Sequence, residues 1–239
     1  MSALPLLNLL GLHGARRMTV KAIIFDYGNV ISLPQDVALA SELYHVSGIG
    51  PLFEESYWRF RLAYDRDELV ADKYWQTVAA YANVRLSKLQ VDRLIQLDGQ
   101  SWMKPRQEML NWIERLRQEG YKIALLSNMP KSIGEMLLKQ PWFPRFDTLI
   151  FSCDLGVTKP SPEIYSQCLK RLNLPGEHTL FLDDREENII GAEALNIQSV
   201  LFKSPEETQK ELSLRFPELP KIQDGPLAFP PSIPTVVPL

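Results

Sequence analysis

Apolar residues along the chain follow two different spacings. From Ala22 to Phe25 they run unbroken and stop at Asp26, the pattern of a strand buried on both faces of a parallel sheet. Lys122–Leu126, Thr148–Phe151, Thr179–Leu182 and Ser199–Phe202 repeat that shape, so five strands are predicted. Between about Asp36 and Asp98 the apolar positions move to helical spacing, as in Leu39, Leu43 and Val46 and again in Val70, Tyr74, Trp75 and Val78. One helix of this region is predicted to begin near Asp67, where acidic residues suit a helix N-terminus. Outside it, helices are predicted from Arg106 to Glu119, from about Lys131 to Lys139, behind Ser161 and Pro162, and from the Asp184 region to about Leu195.

Strands alternating with helices predict an α/β fold: a Rossmann-like parallel sheet with helices on both faces, and a small all-helical domain inserted after the first strand. The expected boundaries are 18–34 and 100–210 for the core and 35–99 for the helical insertion. Residues 1–17 are expected to be a disordered extension, since Met18 is a candidate start. Residues 217–239 carry seven prolines, which predicts an extended, mobile tail.

Composition narrows the function classes. Across 239 residues, 45% hydrophobic and 23% charged positions describe a globular protein able to bury a core. A net charge of −3 without a basic cluster argues against nucleic acid. No apolar run approaches the ~20 residues of a membrane span. Cys153 and Cys168 lack metal-ligand spacing and are expected as buried thiols of a reducing, cytoplasmic compartment. The oligomeric state is left open.

The chemistry sits where the strands end. In parallel sheets, ligands bind beyond the carboxyl ends of the strands, and Asp26, Ser127, Lys159, Asp183 and Asp184 all fall at or beyond such ends. Together they suit phosphoryl transfer. Asp26 and Asp184 supply hard oxygen ligands for Mg²⁺, with Asp183 orienting them from behind. Lys159 neutralises phosphate charge and Ser127 holds a phosphate oxygen. Asp26 is then the nucleophile, passing through an aspartyl-phosphate.

The segments FDYGNVI, LLSNMP, VTKPSPEIY and FLDDREENIIGA resemble, in order and separation, the four motifs of the haloacid dehalogenase superfamily. The insertion resembles that family's helical C1 cap. The likeness is to the branch holding alpha-D-glucose-1-phosphate phosphatase and the N-terminal phosphatase domain of soluble epoxide hydrolase. It implies a Mg²⁺-dependent phosphatase of a small phosphorylated metabolite, such as a sugar phosphate. It adds Asn128 as a phosphate contact, the Gly28 carbonyl as a metal ligand, and Asn188 as a supporting residue beside Asp183. Most of these phosphatases carry a second Asp where this chain has Gly28, so the resemblance leaves the leaving-group proton without a donor. Water, or one of the cap carboxylates Asp65, Asp67 and Glu68, would replace it.

Two other functions compete. A dehalogenase of this fold would use the same nucleophile without metal, and a non-catalytic binding protein would keep the pocket alone. In the cap, Trp58, Arg59, Arg61 and the segment Tyr64 to Glu68 are candidates for substrate contact. The competing reading makes Trp58 cap core and the arginines solvated.

Overall fold

The computed structural model describes residues 19–144 and 146–222. The expectations for residues 1–17, for Met18 and for 223–239 lie outside the described residues. No helix among the described residues is long and apolar enough to cross a membrane.

After strand β1 (Ala22–Phe25) and a tight turn, the chain enters five helices: α1 (Val37–Ser47), α2 (Phe53–Arg59), α3 (Arg61–Asp65), α4 (Ala71–Tyr81) and α5 (Lys88–Ser101). They bury their own core, including Leu43, Tyr57, Tyr74, Trp75, Val78 and Leu94. Local sequence sets the ends. The Asp36 carboxylate accepts from the N–H groups of Ala38 and Leu39, and Ser87 with Gln90 closes a capping box on α5. The helix expected near Asp67 begins instead at Ala71, because Asp67 sits in the left-handed region at φ 58°, where a helix cannot start.

The rest alternates. α6 (Gln107–Gln118) leads to β2 (Lys122–Ser127), α7 (Lys131–Leu137) to β3 (Thr148–Phe151), and a single turn, α8 (Ser152–Leu155), is followed by α9 (Pro162–Leu172). Next come β4 (Thr179–Asp183), α10 (Glu186–Glu193), β5 (Gln198–Leu201) and α11 (Pro205–Arg215). α11 had no sequence expectation, yet its signal is present. Ser204 accepts from the Glu207 N–H, Pro205 opens the first turn, and Glu206 and Glu207 sit at the helix's positive end. The stretch expected to be mobile is packed over its first residues: Leu219 is buried, and Trp112 Nε1 donates to the Pro220 carbonyl at 2.6 Å.

All five strands are parallel, in the order β3-β2-β1-β4-β5. Side chains alternate across the sheet. Ile23, Phe25, Ile123, Leu125, Leu180 and Leu182 enter one core with α6, while Ala22, Ile24, Ala124, Leu126 and Phe181 enter another with α9 and α10. Both faces are covered, which is why each strand reads as a continuous apolar run. The winding direction reverses beside β1, and the crevice at such a switch point is where an open α/β sheet binds ligand. Phe25 pairs with Leu182, so Asp26 and Asp183 emerge side by side at that crevice.

One close approach fixes the loop that carries Lys159. A Cβ on Gly191 of α10 would lie 2.9 Å from both the Cβ and the carbonyl oxygen of Pro160. Gly191→Ala is therefore expected to cost about 1–3 kcal/mol in urea unfolding, and to lower activity further by displacing Lys159.

Candidate active site

Asp26 follows β1 directly, held there by its N–H donating to the Leu182 carbonyl at 2.9 Å. Its carboxylate meets Lys159 Nζ at 2.7 Å, and the same ammonium reaches Asp183 Oδ2 at 2.6 Å. The Lys159 side chain is 1% exposed. Burial of this lysine works against its charge, but Asp183 and Asp26 overcome it and hold the ammonium above the usual lysine range. Asn128 shapes the loop that carries it: the Asn128 side chain accepts from Lys159 N–H at 2.8 Å and donates to the Lys159 carbonyl at 3.0 Å. The amide expected to contact phosphate is thus occupied in positioning the lysine.

Asp183 is fully buried. Besides Lys159, it accepts from Asn188 Nδ2 at 2.9 and 3.0 Å and from the Arg185 N–H at 2.9 Å. Asn188 is itself buried. Asp184 points the other way, into the cavity, and accepts from Asn29 Nδ2 at 2.7 Å. Asn29 was missed at the level of sequence. Its signal is the Gly-Asn turn after the strand, since asparagine tolerates the left-handed φ of 59° found here.

Carboxylate oxygens of Asp26, Asp183 and Asp184 lie within 4.8 Å of one another. One ammonium cannot balance three carboxylates, and the electrostatics show it. Burial pushes the Asp26 carboxyl up to about 7 against the pull of Lys159, with Asp183 and Asp184 adding to the rise. Burial raises Asp184 as well, opposed by its hydrogen bond from Asn29. A hard divalent cation fits this oxygen-donor set and its excess negative charge.

Asp26, Lys159 and Asp184 form the floor of a cavity of about 480 Å³, with Ser127, Asn128 and Gly28. Gly28 has φ −61° and ψ 132°, a conformation open to any residue, and nothing lies within 4 Å of a Cβ built on it. The glycine is therefore not demanded by the turn, and it leaves open space beside Asp26.

The helical unit forms the cavity's other wall through Trp58, Arg61, Leu62 and Asp65, with Trp102 behind. Trp58 is half exposed at the cavity, so it is not cap core. Arg61 is not solvated: its Nε donates to Asp65 Oδ1 at 2.8 Å and its guanidinium lies 3.6 Å from Asp98. Arg59 stacks over Tyr81, and Glu68 pairs with Arg66. Of the three cap carboxylates considered, Asp65 lines the cavity and Asp67 and Glu68 do not. Burial raises the Asp65 carboxyl even though Arg61 lowers it. Two ties hold this wall over the floor. Ser152 Oγ donates to the Asp65 carbonyl at 2.6 Å while accepting from the Met129 N–H, and Tyr64 OH meets Ser132 Oγ at 2.6 Å.

The fold and this set of strand-end groups define a hydrolase. A family model of haloacid dehalogenase-like hydrolases matches residues 20–196, and the chain belongs to that family. It is 37% identical over 112 residues to mouse acyl-CoA dehydrogenase family member 10, across 46% of this chain and 10% of that protein. The chain thus spans a tenth of that relative. It is 23% identical to a sesquiterpene phosphatase of Aspergillus oryzae, covering 75% of this chain and 88% of the relative. Among solved structures, a haloacid dehalogenase family enzyme of Bacteroides thetaiotaomicron, in complex with magnesium and inorganic phosphate, superposes with a TM-score of 0.66. Identity to it is 20%, covering 77% of this chain and 94% of that one. This likeness carries the fold.

The raised Asp26 carboxyl has a thermodynamic consequence. The folded protein binds this proton more tightly than the unfolded chain, whose Asp titrates near the ordinary ~3.9. Stability is therefore lost as pH rises from about 4 to about 7, the raised value. In metal-free buffer, Asp26→Asn is expected to melt above the parent by roughly 5 °C at pH 8. The margin should shrink towards pH 4 in a thermal melt series.

Proposed function

We propose that the protein is a Mg²⁺-dependent phosphatase that hydrolyses a small phosphate monoester through an aspartyl-phosphate. The observation that carries this reading is the arrangement at Asp26: a carboxylate at the cavity floor, bridged to Lys159 at 2.7 Å and clustered with Asp183 and Asp184. Its kinship with a sesquiterpene phosphatase supports the same reaction class.

Asp26, Asp184 and the Gly28 carbonyl would hold the ion, which when bound neutralises phosphate charge so that an anionic nucleophile can approach an anionic ester. Ser127 and the backbone around Asn128 take a phosphate oxygen, and Lys159 supplies positive charge from the opposite side. An Asp26 Oδ attacks phosphorus, the bond from phosphorus to the alcohol oxygen breaks, and the alcohol leaves. Water then attacks the phosphorus of the aspartyl-phosphate, giving a proton to the carboxylate of the leaving-group donor, releasing phosphate and restoring the Asp26 carboxylate. Asp183 and Asn188 keep Lys159 in place throughout. We assign the leaving-group proton to Asp65, whose raised carboxyl lines the cavity. Halide displacement from a haloacid fits less well, because the substrate carboxylate would lie against three aspartates.

Three outcomes test this. Phosphate release from a panel of phosphate monoesters should require Mg²⁺ and fall to background in Asp26→Asn. A folded, metal-loaded enzyme that releases none from any ester would refute the phosphatase. Mg²⁺ at a hundredfold excess over its dissociation constant should stabilise the parent by about 2.7 kcal/mol, with no such gain in Asp184→Asn; an equal gain in both would place the ion elsewhere. Asp65→Asn should slow hydrolysis of alkyl phosphates by roughly 10²–10⁴-fold while leaving p-nitrophenyl phosphate, whose leaving group needs no proton, much less affected. Equal loss on both substrates would count against Asp65 as the donor.

A further inference from the structure

Above its polar floor, the catalytic cavity changes character. Trp58 and Leu62, four residues apart on the cap, face Met129 and Ile133 on the core side, with Trp102 closing one flank. Trp58 and Leu62 are each 50% exposed, an arrangement that leaves apolar surface in water unless something covers it. Buried polar side chains of this upper region are engaged: Arg61 is bound to Asp65 and to the Tyr57 hydroxyl, and the Tyr27 hydroxyl to the Trp102 carbonyl, while Arg185 pairs with Glu187 at the exposed surface.

A sugar phosphate would bring several hydroxyls to this wall and strip their water without supplying partners, at a cost for each unpaired group. A hydrocarbon would bury Trp58 and Leu62 and lose nothing. Trp58 has a second neighbour as well. It also lines a cavity of about 350 Å³ between α1 and α2, whose wall includes Leu43, Tyr44, Phe53 and Tyr57. Its indole therefore borders both the catalytic cavity and this further space, whose wall also carries Gln35 and Glu54.

We propose that the substrates are phosphate monoesters of apolar alcohols, and that Trp58 sets how long an apolar chain the enzyme accepts. This rests on the phosphatase reading and deepens it. The phosphate sits on the floor, the chain lies along Leu62, Met129 and Ile133, and the Trp58 ring stops it short of the space between α1 and α2.

The test measures phosphate release with Mg²⁺ from n-alkyl phosphates of two, four, six, eight and ten carbons, and from glucose 6-phosphate and glycerol phosphate. The parent, Trp58→Ala and an Asp26→Asn blank are compared. In the parent, kcat/KM should rise about fourfold per methylene, the factor that ~0.8 kcal/mol of burial corresponds to, and then level off. Trp58→Ala should move that plateau to longer chains by two carbons or more, and if circular dichroism shows it unfolded, Trp58→Leu is expected to move the plateau in the same direction. A flat profile, or a sugar or glycerol phosphate turned over as well as octyl phosphate, overturns the substrate class and leaves the phosphatase standing. A plateau that stays in place in a folded Trp58 variant overturns the role given to Trp58. No release from any ester overturns the phosphatase and the substrate class together.

Discussion

The buried Lys159 ammonium, shared between Asp26 and Asp183, is the interaction on which the site depends. Taking three charged groups out of water is costly, and their mutual attraction offsets that cost only where every group is well placed and hydrogen-bonded. The placement is supplied from four directions. β1 and β4 deliver the two carboxylates side by side, Asn128 grips the lysine's backbone from the end of β2, and Asn188 holds Asp183 from α10. Gly191 lets α10 come close enough to Pro160 to fix the loop. Much of the molecule's packing thus converges on the position of one amino group.

The same convergence leaves charge unbalanced. Asp184 adds a third carboxylate to the cluster without a cationic partner of its own; its hydrogen bond comes from the neutral Asn29. Burial and repulsion raise Asp26, so the floor carries excess negative charge that a cation would balance. The stability cost is concentrated at the Asp26 carboxylate.

Gly28 and the cap face the same cavity. An acidic side chain at position 28 would project into open space beside Asp26, and none is present. Asp65 reaches the cavity from the opposite wall, and its own carbonyl is tied to Ser152 of the core. Asp65 and Leu62 therefore belong to the same short helix, α3, with Trp58 on the neighbouring α2, so the docking of the cap sets where all three stand at the cavity.

The sequence by itself determined the strands, their parallel arrangement, the helical insertion, and the residues at the strand ends. The reason is that apolar runs buried on both faces, and the polar residues that terminate them, are written locally. It missed α11 despite a Ser-Pro-Glu-Glu start, and it placed a helix at Asp67 because acidic residues favour helix starts whereas the left-handed backbone there forbids one. The direction each site residue faces was decided by tertiary structure alone. Asp183 turns inward to Lys159 while its neighbour Asp184 faces the cavity, and Asn128 spends its amide on the Lys159 backbone. Asp65 was separated from Asp67 and Glu68 in the same way. These outcomes depend on contacts between residues 24 to 155 positions apart, and no local pattern encodes the rotation of one side chain against another that distant.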